Sequence, residues 1–124
     1  MFNISNNGIV SMTRGDDVSI PLFINQGNRM NPMRYSLLSN PDSELYLGIM
    51  MPYQDFEYAL VRKKYTHESP HTEHRDVIVR LMPQDTMCLM PGKYYIEAKL
   101  RILDKFGNER VFTVLPKKIF QLEE

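Results

Sequence analysis

The sequence predicts an all-β protein: a β-sandwich of about seven short antiparallel strands with almost no helix. Three observations carry that expectation. From Gly92 to Leu103 the chain alternates without a break, with Tyr94, Ile96, Ala98, Leu100 and Ile102 on one parity and Lys93, Tyr95, Glu97, Lys99 and Arg101 on the other. Successive side chains of a strand point to opposite faces, so one face suits a core and the other water, whereas a helix would spread the charges around its axis. Secondly, several other runs alternate in the same way and need a partner for their apolar side. Thirdly, proline, glycine, asparagine and aspartate punctuate the chain between them. Strands of this kind bury sheet against sheet or close into a barrel. Their short length, uneven spacing and two long loops favour crossings between two sheets, with a small barrel as the alternative.

The elements follow in order. Ile4–Gly8 reads as a short extended piece and a turn, and Ile9-Val10-Ser11-Met12 as the first true strand. Thr13-Arg14-Gly15-Asp16 breaks it, with Gly15 free to take a backbone angle that other residues resist. Asp17 to Ile24 alternates through Val18, Ile20, Leu22 and Ile24, and Pro21 makes this strand an edge or locally irregular. Asn25–Asn28 closes it. The segment from Arg29 to Ser43 is the least periodic, with a brief strand at Arg34–Leu38. Glu44–Met51 is strongly apolar and central, its regular face formed by Leu45, Leu47, Ile49 and Met51. A loop or single helical turn at Pro52–Glu57 leads into a strand at Tyr58–Thr66.

After a loop from His67 to Arg75, Asp76–Leu81 alternates with Val77, Val79 and Leu81 inward. Met82–Met90 holds a short helical turn, with Pro83 suited to its first position and Leu89 or Met90 covering the end of the core. Pro91-Gly92 then opens the long alternating strand. A hairpin turn at Lys105–Asn108, with Gly107 supplying the bend, joins it to strands at Glu109–Leu115 and Lys117–Leu122, and Pro116 bulges or redirects the last.

A chain of 124 residues makes one domain, 1–124, able to build a core without metal or disulfide staples. Fifteen basic residues balance fifteen acidic ones, so no global field gathers nucleic acid or an anionic membrane, and no run of apolar residues is long enough to insert in a bilayer. Cys88 is the only cysteine, which fits folding in a reducing cytosol and leaves no intrachain disulfide. The first residues, Met1 to Ser5, lack the basic and apolar segments of a signal peptide.

Candidate chemistry is sparse. His67, His71 and His74 cluster with Glu68 and Glu73, a set of donor types that suits zinc or iron. Pro70 and the polar setting point instead to a solvent-facing loop, with ligation open only where several such loops meet in an assembly. Arg14-Gly15-Asp16 matches a tripeptide of integrin ligands, but Asp16-Asp17 before a strand reads as turn chemistry. The carboxylates are spread through turns, no serine lies in a nucleophile elbow, and Cys88 sits among Met87, Leu89 and Met90 as buried filler. No enzyme activity, cofactor or metal is expected. Seven tyrosines and nine methionines carry more information. Met30, Met33, Tyr35, Tyr53, Phe56 and Tyr58 form the candidate interface, because tyrosine and methionine bring large or adaptable contact area. Against this stands their use as plugs at the end of a sandwich.

A family pattern runs through these pieces. Met12-Thr13-Arg14-Gly15-Asp16-Asp17-Val18-Ser19-Ile20 resembles the opening of small immunoglobulin-like modules encoded by bacteriophages and prophages. Such modules occur at the front of baseplate upper proteins and in head-fibre or tail-associated proteins. The likeness continues at Leu45–Met50, Ala59–Lys63, Val79–Thr86 and Leu89–Tyr95, where Pro91-Gly92-Lys93-Tyr94 enters a late strand. The resemblance implies an immunoglobulin-like sandwich and a virion structural role, made in the host bacterial cytoplasm, with other phage structural proteins and copies of itself as partners. With the chain ending at Glu124, an adaptor or decoration subunit on capsid, head fibre or baseplate is the expectation. The alternative is a carbohydrate- or peptide-binding module holding a bacterial surface glycan, with Tyr35, Tyr53, Phe56 and Tyr58 stacking on it and Asp42, Asp55 and Glu57 accepting its hydroxyls.

Overall fold

Among the described residues ten strands and one short helix follow one another as β1 (Phe2–Ile4), β2 (Ser11–Thr13), β3 (Val18–Leu22), β4 (Ile24–Gly27), β5 (Pro32–Tyr35), β6 (Glu44–Met50), β7 (Val61–Tyr65), β8 (Val77–Leu81), α1 (Pro83–Met87), β9 (Gly92–Leu103) and β10 (Glu109–Glu123). The computed structural model describes residues 2–4, 11–27, 30 and 32–124. The turn expected at 5–8, the first half of the strand expected at Ile9–Met12, and positions 28, 29 and 31 of the loop lie outside them.

Five strands form the main sheet in the order β2-β10-β9-β6-β7, beside a three-stranded sheet β1-β4-β5 and a two-stranded sheet β3-β8. β9 sits in the middle of the main sheet, paired antiparallel with β10 on one side and β6 on the other. Its alternation translates directly: Tyr94, Ile96, Ala98 and Leu100 are buried and Ile102 is half-buried. Leu45, Leu47 and Ile49 of β6 lie on the same side, and Leu22, Ile24, Val77, Val79 and Leu81 of the smaller sheets join them with Phe120 and Leu122 in one core. All three sheets therefore share one apolar interior, and its burial drives their association.

Several boundaries depart from the sequence reading. The strand expected at Asp17–Ile24 is two strands, parted at Phe23, with β3 pairing β8 and β4 turning to lie between β1 and β5. Pro21 sits in β3 opposite Ile78, in a two-stranded sheet where each strand is an edge, as a proline in mid-strand requires. The two strands expected after the hairpin are one, β10. Its register against β9 shifts between Thr113 and Leu115 and again between Leu115 and Lys118, so the bulge at Pro116 is absorbed without ending the strand. The strand expected at Arg34–Leu38 starts earlier, as β5, and gives way to a 3-10 turn at Leu37–Ser39, where the Ser36 hydroxyl accepts from the Leu38 N–H at 3.2 Å. The strand expected from Tyr58 begins at Val61, because Phe56–Tyr58 forms a second 3-10 turn.

One pairing is parallel: β2 lies beside the end of β10, Ser11 opposite Gln121 and Thr13 opposite Glu123, and the Arg14 N–H donates to the Glu123 carbonyl at 2.7 Å. An all-antiparallel set did not anticipate it. The helical turn expected at Met82–Met90 is α1, with Pro83 at its first position and the Asp85 carboxylate accepting from the Met82 N–H at 2.7 Å. Leu89 packs against the core, whereas Met90 is exposed. Cys88 is exposed too, a correction to its reading as buried filler: α1 ends at Met87, and its cap Cys88 has already left the core.

Candidate interface on the outer face of the main sheet

The side of the main sheet away from the core carries the second parity of β9. Lys93, Tyr95, Glu97, Lys99 and Arg101 point there, beside Glu44, Tyr46 and Gly48 of β6 and Arg62 and Lys64 of β7. Glu44 anchors one end of this face. Its carboxylate accepts from the Tyr46 hydroxyl, lies 3.4 Å from Lys64 and 3.6 Å from Arg101, and is held below the usual carboxylate range, chiefly by the Tyr46 bond. The same bond holds the Tyr46 phenol above its ordinary value. Arg101 is held further by Glu109 of β10 at 3.0 Å.

The segment after β6 folds back over this face. The Met51 N–H donates to the Gln54 side chain at 2.9 Å, the Ala59 N–H to the Phe56 carbonyl at 3.1 Å, and the Leu60 N–H to the Ile49 carbonyl at 2.8 Å. Lys117 of β10 reaches the Gln54 carbonyl at 3.0 Å and so ties the turn to the strand across β9 from β6. Phe56 lies against Gly48, where a Cβ would meet the ring and the Ala59 methyl at 3.0 Å. Its ring also takes the Lys99 ammonium at 5.4 Å from the centroid. Glycine in the middle of an apolar strand thus marks the seat of an aromatic ring.

That seat gives a direct expectation. Gly48→Val supplies a residue that strands favour, yet its side chain occupies the place of Phe56. The variant is expected to lose about 1–3 kcal/mol in urea unfolding and to release the turn, read as faster proteolysis between Met51 and Leu60. Unchanged stability and protease resistance would show that Phe56 does not depend on that seat.

Two shallow clefts flank Phe56. One, of about 380 Å³, is lined by Tyr46, Phe56, Arg62, Lys99, Arg101, Glu109 and Val111. The other, of about 410 Å³, is lined by Asp55, Phe56, Glu57, Glu97, Lys99 and Lys117. Arg62, Asp55, Glu57 and Glu97 have no ion-pair partner among the described residues.

The candidate interface residues do not form one surface. Tyr53 and Tyr58 are exposed on the folded-back segment, with half-buried Phe56 between them. Met30 and Met33 are exposed in and beside β5, but Tyr35 packs against the core, and its hydroxyl meets that of Ser43. Phe56 and Tyr35 thus lie on opposite sides of the main sheet. Arg34 stacks over Phe23 at 4.0 Å and pairs with Asp76 at 3.6 Å, so the 34–39 stretch is docked on the loop before β8. The residues that sequence reasoning missed are Gly48, Arg62, Glu97, Lys99 and Arg101. Their signal was present as the polar parity of β9 and the lone glycine of β6, but polarity alone reads as a wetted face.

The other motifs are placed as follows. Arg14 donates to the Met87 carbonyl at 2.6 Å and the Gly15 N–H to the Thr86 hydroxyl at 2.9 Å, which packs the Arg-Gly-Asp tripeptide against α1; Gly15 has φ 86°. His71 is half-buried, its Nδ1 2.6 Å from the Ser69 carbonyl, so the loop is not wholly solvent-facing. Among the described residues no group of three or more His, Cys, Asp or Glu gathers to hold a metal ion, and no helix is long and apolar enough to cross a membrane. Comparison with protein-family models, curated proteins and solved structures finds no match for this chain.

Proposed function

We propose that this chain is a non-enzymatic bacteriophage virion module, an immunoglobulin-like sandwich that docks other capsid, head-fibre or baseplate proteins through its loops and strand edges. The observation that carries the docking role is the exposure of large apolar side chains on connecting segments: Met30 is 89% exposed, Tyr53 82% and Tyr58 66%. Isolated exposed apolar residues such as Met30 are ordinary, but Tyr53 and Tyr58, exposed together on the one folded-back segment, have the composition of a contact surface. The strand order supports the sandwich. β10-β9-β6-β7 follows the order of the last, next-to-last and third strands of an immunoglobulin domain with one added edge strand, and β3-β8 supplies the facing pair. The resemblance at Thr13–Ile20 and Pro91–Tyr94 supplies the virion setting, with the chain made in the host bacterial cytoplasm.

Recovery of the tagged chain in purified phage particles, followed by cross-linking, tests the proposal. Wild type is expected in the particles, cross-linked to a structural protein. Tyr53→Ala combined with Tyr58→Ala is expected to lower incorporation about tenfold or more while leaving the unfolding midpoint unchanged. Absence from particles, together with saturable glycan binding lost on Tyr53→Ala, would overturn it in favour of surface-glycan attachment.

A further inference from the structure

The two clefts beside Phe56 carry opposite signs. On one side Arg62, Lys99 and Arg101 outnumber Glu109, with Glu44 3.6 Å from Arg101 at the edge. On the other, Asp55, Glu57 and Glu97 outnumber Lys99, which lines both clefts, and Lys117, whose ammonium is already engaged by the Gln54 carbonyl. The heights differ as well. Arg62, Lys99 and Arg101 belong to β7 and β9, at the level of the sheet, whereas Asp55 and Glu57 ride on the turn that lies above it. Both acids are exposed, and Tyr58, Leu60 and Val111 add exposed apolar area beside them.

A face with an acid-bearing projection beside a recessed cationic cleft is complementary to itself. Turned by half a revolution about an axis near Phe56, each projection meets the other copy's cleft, the relation of an isologous contact. We infer that the outer face of the main sheet pairs with a second copy of this chain about such a two-fold axis, Asp55 and Glu57 of each copy entering the cleft lined by Arg62, Lys99 and Arg101 of the other. The formal net charge of zero means that no overall repulsion opposes the approach. The acids find partners that they lack within one chain, and the Phe56 and Tyr58 rings close the seam. This inference deepens the docking role by naming one partner and rests on that role.

Sedimentation equilibrium on the intact chain tests it with two charge reversals at exposed positions, Glu57→Lys and Arg62→Glu. Wild type is expected to dimerise at low ionic strength and to weaken in ~0.5 M salt, where charges are screened beyond ~4 Å. Each reversal alone is expected to weaken pairing about tenfold or more, since it sets like charges together at both symmetric contacts. An equimolar mixture of the two variants is expected to restore pairing, because both contacts then join opposite charges. Circular dichroism of each variant verifies the fold.

A wild type that stays monomeric at ~200 µM would overturn the inference, as would a dimer indifferent to both reversals or a mixture that fails to recover. A monomeric wild type that still cross-links to other particle proteins overturns the pairing alone and leaves the docking role standing.

Discussion

Phe120→Ala is expected to be the most destabilising single truncation, costing about 3–5 kcal/mol in urea unfolding. Among the described residues Phe120 is the largest fully buried side chain, and it stands opposite Tyr94 in the register of β10 on β9. Removing the ring empties a space between elements that cannot collapse independently, since β9 is held on both sides by its neighbours. Phe120→Leu keeps most of the volume and is expected to lose about 1.5 kcal/mol or less. Phe112→Ala in the same strand, starting from a half-buried ring, is expected to fall between them. Equal losses for Phe120→Ala and Phe112→Ala would show that the core does not pass through the C-terminal end of β10.

The second large effect lies at alkaline pH. Tyr65 ends β7 inside the core, and its burial pushes the phenol up to about 12. An unfolded tyrosine titrates near 10, so the fold favours the neutral phenol. The sign follows: this contribution is fully present below pH ~10, shrinks as the unfolded chain ionises above it, and is lost as pH passes the folded value near 12. The loss approaches about 2–3 kcal/mol over that window. Urea midpoints measured from pH 8 to 12 are expected to fall more steeply for wild type than for Tyr65→Phe. Tyr35 and Tyr46 are also raised, Tyr35 by burial and Tyr46 by Glu44, and they leave a shared slope in both proteins. Identical slopes for wild type and Tyr65→Phe would remove Tyr65 as the cause.

The all-β class and much of the core were legible because they rest on a period of two. The parity of Tyr94 to Leu100 and of Leu45 to Ile49 needs no partner to be read, and both sets are buried. Pairing depends on residues far apart in the chain, and there the reading lost detail. The break at Phe23 was hidden because Val18 to Ile24 keeps its alternation across it, although β3 and β4 join different sheets. The continuity of β10 was hidden by Pro116, which removes one donor and costs the strand a register shift, not its existence. Cys88 was misjudged for a different reason: apolar composition predicts burial only where the backbone carries the residue inward.

The outer face was harder still. Its charged parity reads as solvated surface in one dimension, and only the fold sets Arg62 of β7, Lys99 of β9 and the Asp55–Glu57 turn around one ring. Gly48 was the available clue. Among the six candidate contact residues, Tyr35 shows the limit of composition, since a tyrosine suited to an interface serves equally well with its ring against the core and its hydroxyl on a serine.

The parallel run of β2 beside the last residues of β10 has a mechanical meaning. Tension applied at opposite ends of the polypeptide drags these two strands in opposing directions along their length. The ladder from Ser11–Gln121 to Thr13–Glu123, with the bond from Arg14, then bears load sideways and all at once, instead of parting rung by rung as a hairpin pulled open from one end would.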